Sequence, residues 1–153
     1  MITLAYINSK KGGEHMTVEL TILAWSTVLL IVLIIISANA NVMAMGLEWG
    51  LSNRDVPANL TGWGARARRT YLNHVENLLS FGLVVIVAHL GNVHSDLTVL
   101  GAKLFLAARI VYSVLYITGI SALASRTLAF FAGLAGTIMI AYAVLTAVPA
   151  AAM

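Results

Sequence analysis

Two apolar runs without a charged residue most constrain what this chain can fold into. No Asp, Glu, Lys or Arg occurs in Leu20 to Leu47 or in Thr127 to Met153. Each run exceeds the roughly 20 apolar residues that a helix needs to cross the hydrocarbon core of a bilayer. Of the 153 residues, 60% are hydrophobic and 10% are charged, which excludes an ordinary soluble domain. The chain is therefore predicted to be an all-α integral membrane protein.

Turn-forming residues divide the chain into four predicted spans, near residues 18–46, 67–90, 97–120 and 125–149. The connection between the first two spans is long and rich in Gly, Pro and Asn, with a short interfacial turn expected around Trp49. The other two connections are short, which favours antiparallel neighbours. The sequence thus predicts a four-helix, up-down-up-down transmembrane bundle.

The chain divides into a polar N-terminal extension, residues 1–17, and one four-span domain, residues 18–153. We expect the first fifteen residues to be poorly ordered, and Met16 is a second candidate for the start of translation. A secretory signal ending at Ala38-Asn39-Ala40 is the alternative reading. The apolar run is longer than the roughly 7–15 residues of such signals and continues beyond this point, which favours a membrane span.

Basic residues gather at one side of the predicted bundle. The long connection and the start of the second span carry four of them, and the third connection ends at a fifth: Arg54, Arg66, Arg68, Arg69 and Arg126. The positive-inside bias places this side in the cytoplasm and both termini outside it, across the inner membrane if the protein is bacterial. The net charge of +3 is therefore attributed to membrane anchoring, and no nucleic-acid partner is expected.

A polar stripe marks the start of the second span. Arg69, Asn73, Glu76 and Ser80 fall within an arc of about 60° when residues are placed 100° apart around a helix. Charge at hydrocarbon depth is costly and usually functional. We therefore expect the stripe to face other helices, a polar cavity or a bound polar ligand rather than lipid.

The third span carries a cation near its middle. Arg109 shares a helix face with Tyr112, Ser113 and Tyr116. Because Glu76 and Arg109 would each be unfavourable alone in the membrane, we expect them to form an ion pair between neighbouring helices. That pair could serve only to fix helix register. Tyr112 and Tyr116 flank the cation, so they are candidate binding residues or else ordinary core and interface aromatic residues.

The remaining ionisable side chains suggest no metal site. The chain contains no cysteine, which excludes disulfides and cysteine chemistry. His89 and His94 lie at the outer boundary without a carboxylate at ligand spacing. His74 points about 140° away from the polar stripe, so a packing role is expected for it.

Three segments together resemble the MAPEG family, the membrane-associated proteins in eicosanoid and glutathione metabolism, and within it the microsomal glutathione transferases. The second span contributes RTYLNHVEN at 69–77, followed by Phe81. The third contributes ARI at 108–110 with Tyr112 and Tyr116, and the fourth contributes RTLAFF at 126–131 with Gly133. The order and spacing of these segments agree with the family. Phe130 stands where some members have a tyrosine.

The resemblance implies a homotrimer of four-helix protomers that binds glutathione, as a co-substrate, between neighbouring protomers toward the cytoplasmic side. By position, glutathione would be held by Arg69, Asn73, Glu76, Arg109 and Tyr116, to which the cation-flanking Tyr112 is added as a candidate. Arg126 and Thr127 would lie near the sulfur as the catalytic candidates.

Three functions are compatible with these residues. The first is a membrane-bound glutathione transferase or peroxidase that activates the thiol for attack on hydrophobic electrophiles taken from the lipid. The second is a non-catalytic membrane protein of the same fold that binds lipid or a partner protein. The third is a small proton-coupled exporter, but the polar residues crowd one end of the bundle and show no dual-topology symmetry, which disfavours it.

The orientation is testable because the chain lacks cysteine. We expect Asn59→Cys, in the long connection, to resist a membrane-impermeant thiol reagent in intact cells and to react once the membrane is opened. Labelling of position 59 from outside intact cells would overturn the assignment.

Overall fold

The computed structural model describes residues 16–120 and 124–147. The first fifteen residues, which are expected to be poorly ordered, lie outside the described residues. Its helices are α1 Val18–Met45, α2 Leu47–Leu51, α3 Gly62–Leu90, α4 Asp96–Thr118 and α5 Ser125–Ala147. The four long helices are sufficiently long and apolar to cross a membrane. The prediction of an all-α protein with four spans is confirmed, and α2 is the short turn expected around Trp49.

Side-chain contacts at the two ends of the bundle fix the directions of the helices. At one end, Glu19 in the first turn of α1 accepts a hydrogen bond from Thr98 in the first turn of α4, with 2.5 Å between the oxygens. At the other end, Nε of Arg66 near the start of α3 donates to the carbonyl oxygen of Ile117 near the end of α4, at 3.1 Å. Helices α1 and α4 therefore run in one direction and α3 in the opposite direction.

The helix boundaries follow local chemistry. Thr17 caps α1 by accepting a hydrogen bond from the backbone N–H of Leu20. Ser95 and Thr98 form a reciprocal capping box at the start of α4. Gly119 ends α4 in a left-handed conformation, with φ of 83°, which glycine adopts without steric penalty.

Helix α3 begins five residues earlier than predicted, at Gly62 rather than near residue 67. Arg66 is therefore helical instead of lying in the connection. Gly62 favours a longer loop in the sequence prediction, because glycine usually marks turns. In the structure, Gly64 is buried and a Cβ at this position would lie 3.4 Å from Ala40, so tertiary packing supports the first turn of the helix.

The core lies between α1, α3, α4 and α5. Phe81 and Phe105 stack in parallel with ring centroids 3.8 Å apart, and both are fully buried. The other buried members of the cluster are Ile22, Val85, Ala88, Ala102 and Ile140. On the outer surface, Trp25 and many aliphatic side chains are exposed, as expected where helices meet lipid. The chain is a multi-pass integral membrane protein with its polar groups concentrated at the two ends and around Arg109.

Helices α4 and α5 cross with their backbones in close contact at two glycines. A Cβ added to Gly101 would lie 2.6 Å from the carbonyl oxygen of Gly136. A Cβ added to Gly136 would clash with the carbonyl oxygen of Gly101 and lie 2.9 Å from the backbone nitrogen of Phe105. Small residues permit such contact between membrane helices, where packing replaces the hydrophobic effect as the driving force.

We expect Gly136→Ala to lower the free energy of unfolding by about 1–3 kcal/mol, because the added methyl group meets backbone that cannot move aside. Denaturant unfolding in detergent measures this. Gly82→Ala is the matched control, since its Cβ would make an ordinary 3.4 Å contact with the side chain of Leu23. Equal stability of Gly136→Ala and wild type would contradict the close helix crossing.

Candidate functional site

The site is centred on Arg109, whose side chain is fully buried where α3 and α4 meet. Its Nε donates a hydrogen bond to Nδ1 of His74, at 3.2 Å. Its Nη2 donates to Oδ1 of Asn73, at 2.8 Å. The guanidinium also lies over the ring of Tyr112, 4.7 Å from the centroid, in a cation–π contact.

The charge of Arg109 is incompletely compensated within the protomer. Its Nη1 is buried and has no hydrogen-bond partner in the part of the chain that the structure describes. Over the same residues, the one ion pair joins His94 to Glu19 at the opposite end of the bundle, so no carboxylate neutralises Arg109. A buried cation without an anion is costly, and more so within a membrane. The arrangement is suited to an anionic ligand.

A row of aromatic rings links Arg109 to a second cation. Tyr112 and Tyr116, one turn apart on α4, have centroids 5.5 Å apart. The guanidinium of Arg126, in the first turn of α5, lies over the ring of Tyr116 at 5.1 Å. The row Arg109, Tyr112, Tyr116 and Arg126 therefore runs from the buried middle of α4 toward the start of α5.

A cleft of about 310 Å³ opens beside this row. Its lining combines one cation, two phenols, a hydroxyl and an apolar ring, from Tyr112, Tyr116, Arg126, Thr127 and Phe130. The structure thus brings both catalytic candidates and both candidate tyrosines to one cleft, and Asn73 joins them through Arg109. Phe130 supplies no hydroxyl here, so the polar groups of the cleft are those of the two tyrosines, Arg126 and Thr127.

The packing of α5 against α4 leaves space for the large side chain of Arg109. Gly133 of α5 faces Arg109, and a Cβ at Gly133 would lie 3.4 Å from Cδ of Arg109. The absence of a side chain at this position leaves room for the alkyl part of Arg109 between α4 and α5. Ser113, the fourth residue of the predicted face, is also buried and donates its hydroxyl to the carbonyl oxygen of Arg109, at 2.7 Å.

The polar stripe of α3 is divided in the protomer. Asn73 is half-buried and contacts Arg109, whereas Arg69, Glu76 and Ser80 are exposed on the outer surface of the bundle. Arg69 lines a different cleft, of about 340 Å³, together with Arg68 and the end of the long connection. Of the six predicted binding residues, Arg69 and Glu76 therefore lie apart from the other four within one protomer.

The expected ion pair between Glu76 and Arg109 is wrong for the protomer. Arg109 donates instead to Asn73 and His74, which precede Glu76 on α3 by three and two residues. These two acceptors occupy the nitrogens that face α3, while the carboxylate of Glu76 points to the exposed side of that helix. The opposite charges of Glu76 and Arg109 favour the pair, but the depth and rotation of α3 against α4 place the neutral side chains of Asn73 and His74 beside the guanidinium instead.

His74 is the site residue that sequence reasoning missed. It was assigned to packing because it lies away from the polar stripe, and it is indeed fully buried. It also accepts a hydrogen bond from Arg109 and contacts the carbonyl oxygen of Ser26 on α1, at 3.0 Å. The sequence feature that could have identified it is its position next to Asn73. Two consecutive residues of one helix can both accept hydrogen bonds from the same buried arginine of a neighbouring helix.

An apolar groove of about 390 Å³ lies between α4 and α5 near the same end of the bundle. It is lined by aliphatic side chains and closes against the start of α5, with Leu104, Val111, Leu115, Ser125 and Leu128 among its residues. Ser125 immediately precedes Arg126, so this groove and the polar cleft lie on either side of the first turn of α5. The arrangement places an apolar surface next to a cationic one.

Comparisons with known proteins identify a family to which the sequence is similar. The MAPEG family model matches residues 22–146, a stretch that contains every site residue named above. Microsomal glutathione S-transferase 1 from Homo sapiens is 32% identical over 80 residues, which cover 52% of this chain and 51% of that protein. The protein of the same name from Bos taurus is 34% identical over 80 residues with the same coverage. The chain thus matches about half the length of these curated relatives. No solved structure matches significantly.

The contact between Asn73 and Arg109 can be tested with a double-mutant cycle. We expect Asn73→Leu to lower the free energy of unfolding by about 1–3 kcal/mol, because it removes an acceptor from a buried charged donor. Asn73→Leu combined with Arg109→Leu should cost less than the sum of the single changes. Glu76→Gln combined with Arg109→Leu should be additive. A coupling energy confined to the Glu76 pair would contradict the assignment of partners.

Proposed function

This chain belongs to the MAPEG family, and we propose that it is a membrane-bound glutathione transferase or peroxidase that activates the glutathione thiol for attack on hydrophobic electrophiles. The observation that carries the proposal is the buried guanidinium of Arg109, which has no counter-anion and keeps one nitrogen without a partner among residues 16–120 and 124–147. Beside it lies a cleft containing a second cation, Arg126. This arrangement fits a small anionic ligand whose reactive group lies near the start of α5.

The chemistry of glutathione matches the residues present. It is a tripeptide with two carboxylates, one ammonium group and a thiol, so it is anionic overall. Nη1 of Arg109 can donate to a carboxylate, with the guanidinium already oriented by Asn73 and His74. Hydroxyls of Tyr112 and Tyr116 line the cleft and can donate to further oxygens. In this proposal the ligand supplies the negative charge that the described part of the chain does not place beside Arg109.

The exposed part of the polar stripe supports assembly into a homotrimer with glutathione between neighbouring protomers. Arg69, Glu76 and Ser80 lie on the outer surface of a helix whose neighbouring exposed residues, such as Leu72 and Leu79, are apolar. Lipid tails cannot satisfy these polar groups, so a second copy of the chain is the expected cover. Arg69 would then approach a glutathione carboxylate from the adjacent protomer, and Glu76 would accept from its ammonium group.

Arg126 and Thr127 are proposed to activate the sulfur. A free thiol has a pKa of about 8.5 and is only slightly ionised at neutral pH, whereas the thiolate is the nucleophile. A cation near the sulfur favours the thiolate, as do the positive end of α5 and a hydroxyl donor. Arg126 and Thr127 provide the cation and the hydroxyl in the first turn of α5, and both line the cleft. Each pKa unit by which the thiol is lowered gives nearly tenfold more thiolate.

The apolar groove between α4 and α5 supports a hydrophobic second substrate. It opens on the lipid-facing side and reaches Ser125, adjacent to Arg126. An electrophile dissolved in the bilayer can therefore approach the first turn of α5 without crossing water. The thiolate attacks the electrophilic atom, the new carbon–sulfur bond forms, and the leaving group departs with the electron pair of the broken bond.

A non-catalytic lipid-binding role is the second candidate, favoured by one observation. A larger apolar groove, of about 490 Å³, lies between α1 and α4 and is lined by Trp25, Val32, Leu106 and Ile110, among others. Its apolar lining suits an acyl chain. It contains no ionisable group, so it does not account for the unpaired charge of Arg109, and the transferase proposal explains more of the structure.

We expect Arg126→Ala to leave the affinity for glutathione within a few-fold of wild type, because Arg109 and its partners are intact. Conjugation of a model aryl halide should fall by about tenfold or more, corresponding to loss of at least one unit of thiol pKa lowering. The ultraviolet absorbance of the thiolate with saturating glutathione should fall in parallel.

Lys103→Ala is the matched control, since Lys103 is an exposed cation on α4 that does not line the cleft. It should retain wild-type conjugation. If Arg126→Ala conjugates as rapidly as wild type, Arg126 does not act on the sulfur. If the wild type shows neither thiolate absorbance nor conjugation, the transferase proposal fails and the lipid-binding candidate takes its place.

A further inference from the structure

We infer that His74 is a positioning residue that fixes the guanidinium of Arg109 in the orientation needed to bind the anionic ligand. The inference rests on the proposed function for the identity of that ligand, glutathione, but the hydrogen-bond geometry behind it is independent of glutathione. His74 itself lines none of the clefts around Arg109 and Arg126. It acts through the side chain that it holds.

The hydrogen bonds determine the tautomer of His74. A guanidinium Nε always carries a hydrogen and can only donate, so Nδ1 of His74 must be the unprotonated nitrogen that accepts at 3.2 Å. The 3.0 Å contact of Nε2 with the carbonyl oxygen of Ser26 must then be a donation from His74. The ring is therefore neutral and protonated on Nε2. If Nδ1 carried the proton instead, its N–H would point at the Nε–H of Arg109, and Nε2 would have no hydrogen to donate to the carbonyl oxygen of Ser26.

The ring has little freedom to leave this position. It is fully buried, and it lies 6.5 Å from the ring of Phe105 with 29° between the planes. Phe105 is itself stacked on Phe81. Because Ser26 belongs to α1, His74 to α3 and Arg109 to α4, one hydrogen-bonded chain joins three helices. The rigid core thus sets the position of Nδ1, and Nδ1 sets the position of Nε of Arg109.

This chain of contacts decides which guanidinium nitrogen is available. A planar guanidinium that is bonded through Nε and Nη2 cannot rotate without losing one of the two acceptors. The nitrogen left over is Nη1, which is buried and unpartnered among the described residues. Without His74, rotation about the side-chain torsions lets Nε and Nη1 seek other acceptors, and the preorganised donor is lost. Preorganisation of this kind contributes affinity by avoiding ordering on binding.

The test compares two substitutions of His74. His74→Gln retains an acceptor and a donor on one planar group, whereas His74→Phe keeps an aromatic ring and removes both. We expect His74→Phe to weaken glutathione binding, measured by calorimetry in detergent, by about tenfold or more, and His74→Gln to recover most of that loss. The loss should appear in the affinity or KM for glutathione, with kcat changed much less because Arg126 is untouched.

Nitrogen NMR supplies a readout that needs no glutathione. In wild-type protein labelled on histidine and arginine, the resonance removed by His74→Gln should be that of a neutral ring protonated on Nε2. The Nε–H resonance of Arg109 should persist in the Gln variant and shift or broaden in the Phe variant. Val85→Ala is the matched control for stability, since it disturbs the same core about three helical turns from His74 without removing a polar contact, and it should bind glutathione within about twofold of wild type.

Three results would overturn the inference. These are a ring protonated on Nδ1, wild-type affinity in His74→Phe, or an equal loss of affinity in Val85→Ala. The first is measurable in the wild type even if His74→Phe fails to fold. Absence of glutathione binding by the wild type, with the Nε2 tautomer and the Arg109 resonance as expected, would instead refute the proposed function and leave the geometry of His74 standing.

Discussion

The fold around the site depends on placing one arginine side chain inside a membrane bundle. Arg109 is fully buried, and the part of the chain that the structure describes provides no carboxylate to neutralise it. Its charge is stabilised by the amide oxygen of Asn73, the imidazole of His74 and the face of Tyr112. Because these contacts join α3 to α4, the relative depth and rotation of the two helices determine the environment of this buried charge. Such an environment favours binding of an anion.

Apolar packing elsewhere makes this arrangement possible. The crossing of α4 and α5 at Gly101 and Gly136 brings the two backbones together, and Gly133 leaves room for Arg109 about one turn earlier along α5. The stacked Phe81 and Phe105 hold α3 against α4. The first turn of α5 can then present Arg126 over Tyr116, beside a polar cleft on one side and an apolar groove on the other. A conjugating enzyme for lipid-soluble substrates needs this juxtaposition of polar and apolar surfaces.

Much of this could be predicted from the sequence, for definable reasons. Charge-free runs and turn residues determine the four spans because the bilayer allows few alternatives. The helical repeat places Arg109, Tyr112 and Tyr116 on one face, as the structure confirms. The partner of Arg109 could not be predicted, because the repeat gives a direction on one helix but not the depth or rotation of its neighbour. Glu19 was overlooked for a similar reason, since its burial against Thr98 depends on how the ends of α1 and α4 meet.

The central claim is that the buried guanidinium of Arg109 binds an anionic ligand, and that glutathione is this ligand. Titration of glutathione into the purified, detergent-solubilised protein, followed by calorimetry, tests it most directly. The account predicts saturable binding by the wild type and a loss of about tenfold or more in Arg109→Gln, which removes the charge and part of the donor set. Lys103→Gln, which removes an exposed cation outside the cleft, should bind as the wild type does. No binding by the wild type, or equal binding by Arg109→Gln, would contradict the claim.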